Sequence, residues 1–230
     1  RFSILPLFVL LSIIAVILLK QPDTKSLILI AVTGVTMLFV SGIPWKHILG
    51  ILGIITIAFI ILVSFKPYLK ERVNTFLNPN QNGSSSSYQL QQSLIAVGSG
   101  GTFGRGLGQS IQKFNYLPEP QGDSIFAVIG EELGFVGAVL LIILYIAFAL
   151  RGYRIGHYAQ DSFSKLFVIG IITMITAQSF MNIASIIGVF PLTGVPLVFI
   201  SHGGTALFLS LGTMGIVLNI SKNRKNDTRK

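Results

Sequence analysis

Six apolar runs, residues 2–19, 26–40, 47–65, 124–150, 166–187 and 205–220, limit the fold of this chain more than any other feature. A helix needs roughly 17–25 apolar residues to cross about 30 Å of hydrocarbon. Irregular backbone exposed to lipid leaves polar groups unpaired, so the spanning segments must be helices or a closed barrel. These runs have helix length rather than strand length. The expected fold is therefore an all-α polytopic membrane protein of about six transmembrane helices, one membrane domain over residues 1–230. Composition agrees: 11% of residues are charged and mean hydropathy is +0.74, against about 25% charged residues in a soluble domain. The first run lacks the small-residue cleavage site of a signal peptide. The chain starts at Arg1 rather than Met, directly before an apolar run, and is expected to be the later part of a longer protein.

Charge gives the expected orientation. Basic residues crowd residues 151–165 (Arg151, Arg154, Lys165) and the tail at 222–230. The positive-inside rule makes both cytoplasmic. Counting spans back from the tail puts residues 66–122 outside as a long extracytoplasmic loop. Six of the 8 acids, including Asp123, Glu119, Glu131 and Glu132, then lie toward that outer side. The net charge of +9 is spread as a collar flanking the membrane, not as one stripe, which argues against nucleic acid. With no cysteine, disulfides and thiolate metal sites are excluded.

A loop as long as 66–122 is usually functional or disordered. Residues 66–77 place Leu69, Val73, Phe76 and Leu77 at helical spacing among charges, the pattern of an amphipathic helix on the membrane surface. Residues 78–87, NPNQNGSSSS, have linker composition. Residues 88–99 turn helical again, and 98–110, GSGGTFGRGLGQS, are glycine-rich. Such backbone either forms an anion-binding nest or permits a tight, closely packed turn. It lacks the Lys-Ser/Thr of a nucleotide-binding P-loop. A second irregular stretch at 188–204 contains Pro191, Pro196, Gly203 and Gly204, which forbid a continuous helix.

The three histidines are scattered and no GxSxG occurs, so histidine-held metal and serine nucleophiles are not indicated. What remains is Glu119 and Asp123 at the mouth of the fourth run, Glu131 and Glu132 within it, and Arg72, Arg105 and Lys113 upstream. Acids near or inside membrane helices usually face a cavity and work there, the alternative being a packing role against a neighbour. A carboxylate at the edge of an apolar helix can act as a base, and Arg or Lys can hold a phosphate. The residues alone therefore point to an outward-facing site for an anionic, lipid-linked substrate.

The motif QKxxYLPExxxDxIFAVIGEELGFVG, spelled by residues 112–137, resembles the segment before and within the eighth span of the SEDS family (shape, elongation, division and sporulation). Gln21-Pro22-Asp23 and residues 191–204 resemble two further motifs of that family, in the family's order, and the spans match the last six of its ten. The YLPEP wording is closer to the division and sporulation members. The resemblance implies a peptidoglycan glycosyltransferase that polymerises lipid II at the outer face of the cytoplasmic membrane. It makes Asp123 the general base on the acceptor hydroxyl. It gives substrate contacts to Arg72, Lys113, Glu119 and Ser201, and cavity support to Glu131, Glu132, Gly203 and Gly204. It further implies a class B penicillin-binding transpeptidase and other divisome membrane proteins as partners, with a divalent cation (Mg or Mn) as the conceivable cofactor. Departures are Lys25 where the family carries Gly, Gly122-Asp123-Ser124 for Thr-Asp-Phe, and Val198 and His202 for Pro and Tyr. The rival readings are a lipid II flippase and a non-catalytic scaffold of the division machinery. This part of the protein alone is expected to be inactive.

Overall fold

The computed structural model describes residues 13, 14, 17, 18, 20, 21, 23–77 and 85–222. Most of the first apolar run, Pro22, the linker at 78–84 and the tail beyond Lys222 lie outside the described residues. Eight helices follow along these residues: α1 (Thr24–Val40), α2 (Trp45–Phe65), α3 (Pro67–Leu77), α4 (Ser85–Ser99), α5 (Gln112–Asn115), α6 (Ile125–His157), α7 (Ser162–Ile186) and α8 (Gly204–Lys222). No β-strand occurs among the described residues. Helices α2, α6, α7 and α8 are long and apolar enough to cross a membrane, and α1 is a shorter apolar helix. The chain is thus an all-α, multi-pass membrane protein.

Helix starts follow side-chain chemistry. Asp23 caps α1, accepting from the Ser26 backbone N–H at 3.2 Å and the Ser26 hydroxyl at 2.7 Å. Asp161 caps α7 through the Ser164 N–H at 2.8 Å. Each cap satisfies a donor that the first turn leaves unpaired, worth about 1 kcal/mol. Two boundaries differ from the sequence reading. Ser85, Ser86 and Ser87 belong to α4 rather than to the linker. Arg151 and Arg154 sit on the last turns of α6, which continues to His157 and leaves a short turn before α7.

The fourth run is not one helix. At Gly134 the backbone takes φ 67, ψ −165, a region open to glycine because it lacks a Cβ. The stretch from Phe135 to His157 is about 35 Å long at 1.5 Å per residue, enough to cross a bilayer by itself. Residues 125–133 form a separate short helix above it. Backbone groups freed at the break are taken up by the glycine-rich loop. The N–H groups of Arg105 and Gly106 donate to the carbonyls of Glu131 and Glu132, each at 3.0 Å. Phe135 N–H donates to Gly101 O at 2.9 Å, and Val136 N–H to Thr102 O at 3.1 Å. The approach is so close that a Cβ at Gly104 would lie 2.1 Å from Glu132 O.

Helix α6 packs chiefly on α7, and α7 in turn on α1. Hydrophobic association is weak between membrane helices, so close contact over small residues takes its place. Gly152 and Gly156 of α6 accordingly lie against Ile172 and Ile169 of α7. One buried cluster, including Phe126, Ala127, Tyr145, Ile183, Ile186 and Leu197, binds the 188–203 segment between α6 and α7. The Tyr145 hydroxyl donates to Val198 O within it. Non-helical backbone at this position is covered by protein on both sides, the condition under which a membrane tolerates it.

Candidate active site at the head of helix α6

Residues 116–124 reverse the chain before α6. Glu119 sits in the left-handed region at φ 48, and its carbonyl accepts from Gly122 N–H at 3.0 Å and Ser124 N–H at 3.2 Å. Ser124 is fully buried; its hydroxyl donates to Pro118 O at 2.9 Å and accepts from Gln89 of α4 at 3.0 Å. From α7, the Asn182 amide donates to Asp123 O at 2.6 Å and to Val195 O at 2.7 Å. From the 188–203 segment, Ser201 donates to Gly122 O at 2.7 Å, and His202 N–H donates to Gln121 O at 2.7 Å. Three elements thus fix the backbone on both sides of Asp123.

The carboxylate of Asp123 is left free. It is half-buried, and among the described residues no hydrogen bond reaches its oxygens. It faces Gly194, where a Cβ would come within 3.1 Å of Oδ2. Gly194 has φ 63, so both space and backbone conformation favour glycine there. The Lys25 ammonium of α1 donates to Gly194 O at 2.7 Å. Burial pushes the Asp123 carboxyl above its ordinary range; the charge of Lys25 opposes that shift and Glu119 reinforces it. Nearby, Asn182 Oδ1 and Thr193 Oγ1 are buried with no partner among the described residues. Buried polar atoms are rarely left without a partner.

The remaining acids lie elsewhere. Glu131 is 0% exposed and accepts from the Ser110 hydroxyl at 2.6 Å, Ile111 N–H at 3.0 Å and Gln112 N–H at 3.3 Å, with Arg105 Nε 3.8 Å away. Glu132 accepts from Gly108 N–H at 2.9 Å, Ser110 N–H at 3.4 Å and Lys113 Nζ at 2.6 Å. The glycine-rich loop does form an anion-binding nest, and the anions it holds belong to the chain. Lys113 is therefore committed to Glu132. Arg72 stands on α3, which packs on α2 and α4. Gly203 and Gly204 lead into α8, with Gly203 O accepting from Leu207 N–H at 2.9 Å. A cleft of about 740 Å³ lined by Phe39, Arg154, His157 and Lys165 opens at the far end of α6 from Asp123.

Sequence reasoning singled out Asp123, Glu119 and Ser201 from this site. It recorded Lys25 only as a departure from a motif and missed Gln89 and Gly194. Asn182 carried a legible signal, a polar amide inside an apolar run.

A profile of the family described as "Cell cycle protein" (FtsW/RodA/SpoVE) matches residues 1–226. The chain is 43% identical over 208 residues to "Stage V sporulation protein E" of Bacillus subtilis (strain 168), covering 90% of this chain and 56% of the relative. It is 40% identical over 222 residues to "Probable peptidoglycan glycosyltransferase FtsW" of Trichlorobacter lovleyi, covering 96% and 58%. Among solved structures it is similar to a chain of a peptidoglycan synthase complex that coordinates polymerization and crosslinking (TM-score 0.77, 28% identity, covering 97% and 62%). It also resembles the rod shape determining protein RodA of Thermus thermophilus (TM-score 0.63, 25% identity, covering 99% and 60%). The chain thus spans a little over half the length of the curated relatives it matches. Helix order, motif order and these matches agree: the chain belongs to the FtsW/RodA/SpoVE family of membrane proteins.

Proposed function

We propose that the protein containing this chain is a peptidoglycan glycosyltransferase that polymerises lipid II during septal wall synthesis, and that Asp123 is its general base. The observation that carries this reading is the contrast within one loop: the Asp123 backbone is tied to three elements while its carboxylate has no bound partner. A base must be held in place yet remain free to take a proton. In the reaction, the 4-hydroxyl oxygen of the acceptor sugar attacks C1 of the donor sugar. Its proton passes to an Asp123 carboxylate oxygen. The bond from C1 to the diphosphate oxygen breaks with inversion, and undecaprenyl diphosphate leaves with the electron pair. No covalent sugar–enzyme intermediate is needed. Gln89, Asn182 and Ser201 position the base through Ser124, the Asp123 carbonyl and the Gly122 carbonyl.

The departing diphosphate needs countercharge. Arg72 remains the candidate for that role, whereas Lys113 would first have to leave Glu132. A divalent cation, Mg or Mn, would supply charge neutralisation at the diphosphate. Among the described residues no three His, Asp or Glu side chains converge on a position for such an ion. Glu119 adds negative charge beside Asp123 and sets the turn. The site opens on the extracytoplasmic face of the bacterial cytoplasmic membrane, with the C-terminus cytoplasmic. The positive-inside distribution supports this orientation. A class B penicillin-binding transpeptidase and other division proteins are the proposed partners, supported by the similarity to a synthase complex.

The test is Asp123→Ala in the full-length protein with its partner and purified lipid II. Glycan chains should vanish while expression and partner binding persist. Undiminished chains would remove the general-base role. Lipid II crossing vesicle membranes, with no polymer formed by the wild type, would replace the whole reading by a flippase.

A further inference from the structure

Among the described residues, Lys25 at the start of α1 is the ammonium whose charge acts on Asp123. Its Nζ donates to Gly194 O at 2.7 Å across 169 residues. Gly194 is also the residue whose missing Cβ lets the Asp123 carboxylate approach. The Gly194 carbonyl therefore holds Lys25 beside the residue that the Asp123 carboxylate approaches, and among the described residues no ion pair joins the two charges. The half-buried ammonium cannot swing to solvent without giving up that carbonyl.

We propose that Lys25 is a positioning residue for Asp123: it clamps the Gly194 turn onto the head of α1 and holds the carboxylate in its ionised, proton-accepting form. The role rests on the reading of Asp123 as a base. Burial raises the Asp123 carboxyl, and a fixed cation opposes that shift. Among the described residues, the other groups around the carboxylate do not supply that charge. Glu119 in the same loop adds like charge. Asp23 on α1 is occupied in capping Ser26. Gln89 of α4 and Asn182 and Gln178 of α7 are neutral. His202 of the 188–203 segment reaches the loop through its backbone N–H. Lys25 also stands where the related motif has glycine, so the device belongs to this chain rather than to the motif.

The experiment is a pair of pH titrations on the full-length protein in detergent, comparing wild type, Lys25→Met, Lys25→Gln and Lys25→Arg. One follows polymer formation from purified lipid II. The other follows labelling of Asp123 by a hydrophobic carbodiimide, which reacts with the protonated carboxyl, quantified by peptide mass spectrometry. Lys25→Met should move the acid limb of polymerisation and the labelling midpoint upward together by about one pH unit, the scale of a nearby opposite charge. Lys25→Gln keeps a donor for Gly194 O without the charge and should shift both in the same way. Lys25→Arg should restore the wild-type profile. An unshifted labelling midpoint in folded Lys25→Gln overturns the proposal, as does a loss of polymerisation equal at every pH. Labelling needs no turnover, so a wild type that makes no polymer would refute the proposed function while still reporting on Lys25.

Discussion

Two pairs of acids flank the start of α6, and the chain treats them in opposite ways. Glu131 and Glu132 are saturated: six hydrogen bonds from the loop and one nearby guanidinium close around them. Asp123 has its backbone fixed and its carboxylate unbonded, with Glu119 beside it. A carboxylate whose lone pairs are filled stabilises the fold; one that is held but unfilled costs stability and keeps its reactivity. Eight residues along the chain separate a site from a brace.

Substitutions can break or sharpen that contrast. The largest effect is expected at Asp123, where Asp123→Asn should lower polymerisation by about 10²–10⁴-fold, the range for removing a general base. The same variant should melt no earlier than wild type. The sign follows from linkage: a folded-state carboxyl raised above its unfolded value of 3.8 contributes stability at low pH that is lost as pH rises through the folded value. A neutral amide escapes that loss. Glu131→Ala should behave in the reverse way, costing about 3 kcal/mol because the buried Ser110 hydroxyl and two N–H groups lose their acceptor. Thermal melts and limited proteolysis across residues 101–113 read this loss. If Asp123→Asn destabilised as strongly as Glu131→Ala, the contrast would be gone.

Gly134→Ala tests the brace from the backbone side. Its Cβ would lie 2.3 Å from Gly104 N at a positive φ, so about 2 kcal/mol of stability should be lost, seen as a lower melting temperature. Asn182→Ala is expected to have the smallest effect. Releasing Asp123 O and Val195 O should lower polymerisation about tenfold, roughly 1.4 kcal/mol, with the pH profile unmoved. A shifted acid limb in Asn182→Ala would mean that the amide tunes the base as well as placing it.

The sequence announced some of these features and hid others for physical reasons. Runs of apolar residues report spanning helices directly, because lipid imposes length and composition on each helix separately. Asp123 was legible through its motif, and the amphipathic α3 through its periodicity. The break at Gly134 was hidden because glycines such as those of the GxxG at 134–137 are common in unbroken membrane helices, and because the partner stretch of backbone lies some thirty residues earlier. The two readings of the glycine-rich loop, nest or tight turn, could not be separated from residues alone. They turn out to be one structure, since the close approach of Gly100 and Gly104 brings the N–H groups of Gly108, Ser110 and Ile111 onto the carboxylates. Lys25 lay beyond local reasoning altogether. Its partner is distant in sequence, and a lone lysine at a helix start ordinarily signals only a membrane boundary.

The break in α6 bears on how the protein is made. A membrane helix normally leaves the ribosome with its hydrogen bonding self-contained, so it can enter the bilayer alone. Helix α6 departs from that pattern, because the N–H groups of Phe135 and Val136 donate to the carbonyls of Gly101 and Thr102. Those residues are synthesised first and wait outside the helix. Docking of the loop is therefore expected to accompany insertion of α6 during biosynthesis. Lesions in the loop should surface as failed membrane integration and degradation before any question of catalysis arises.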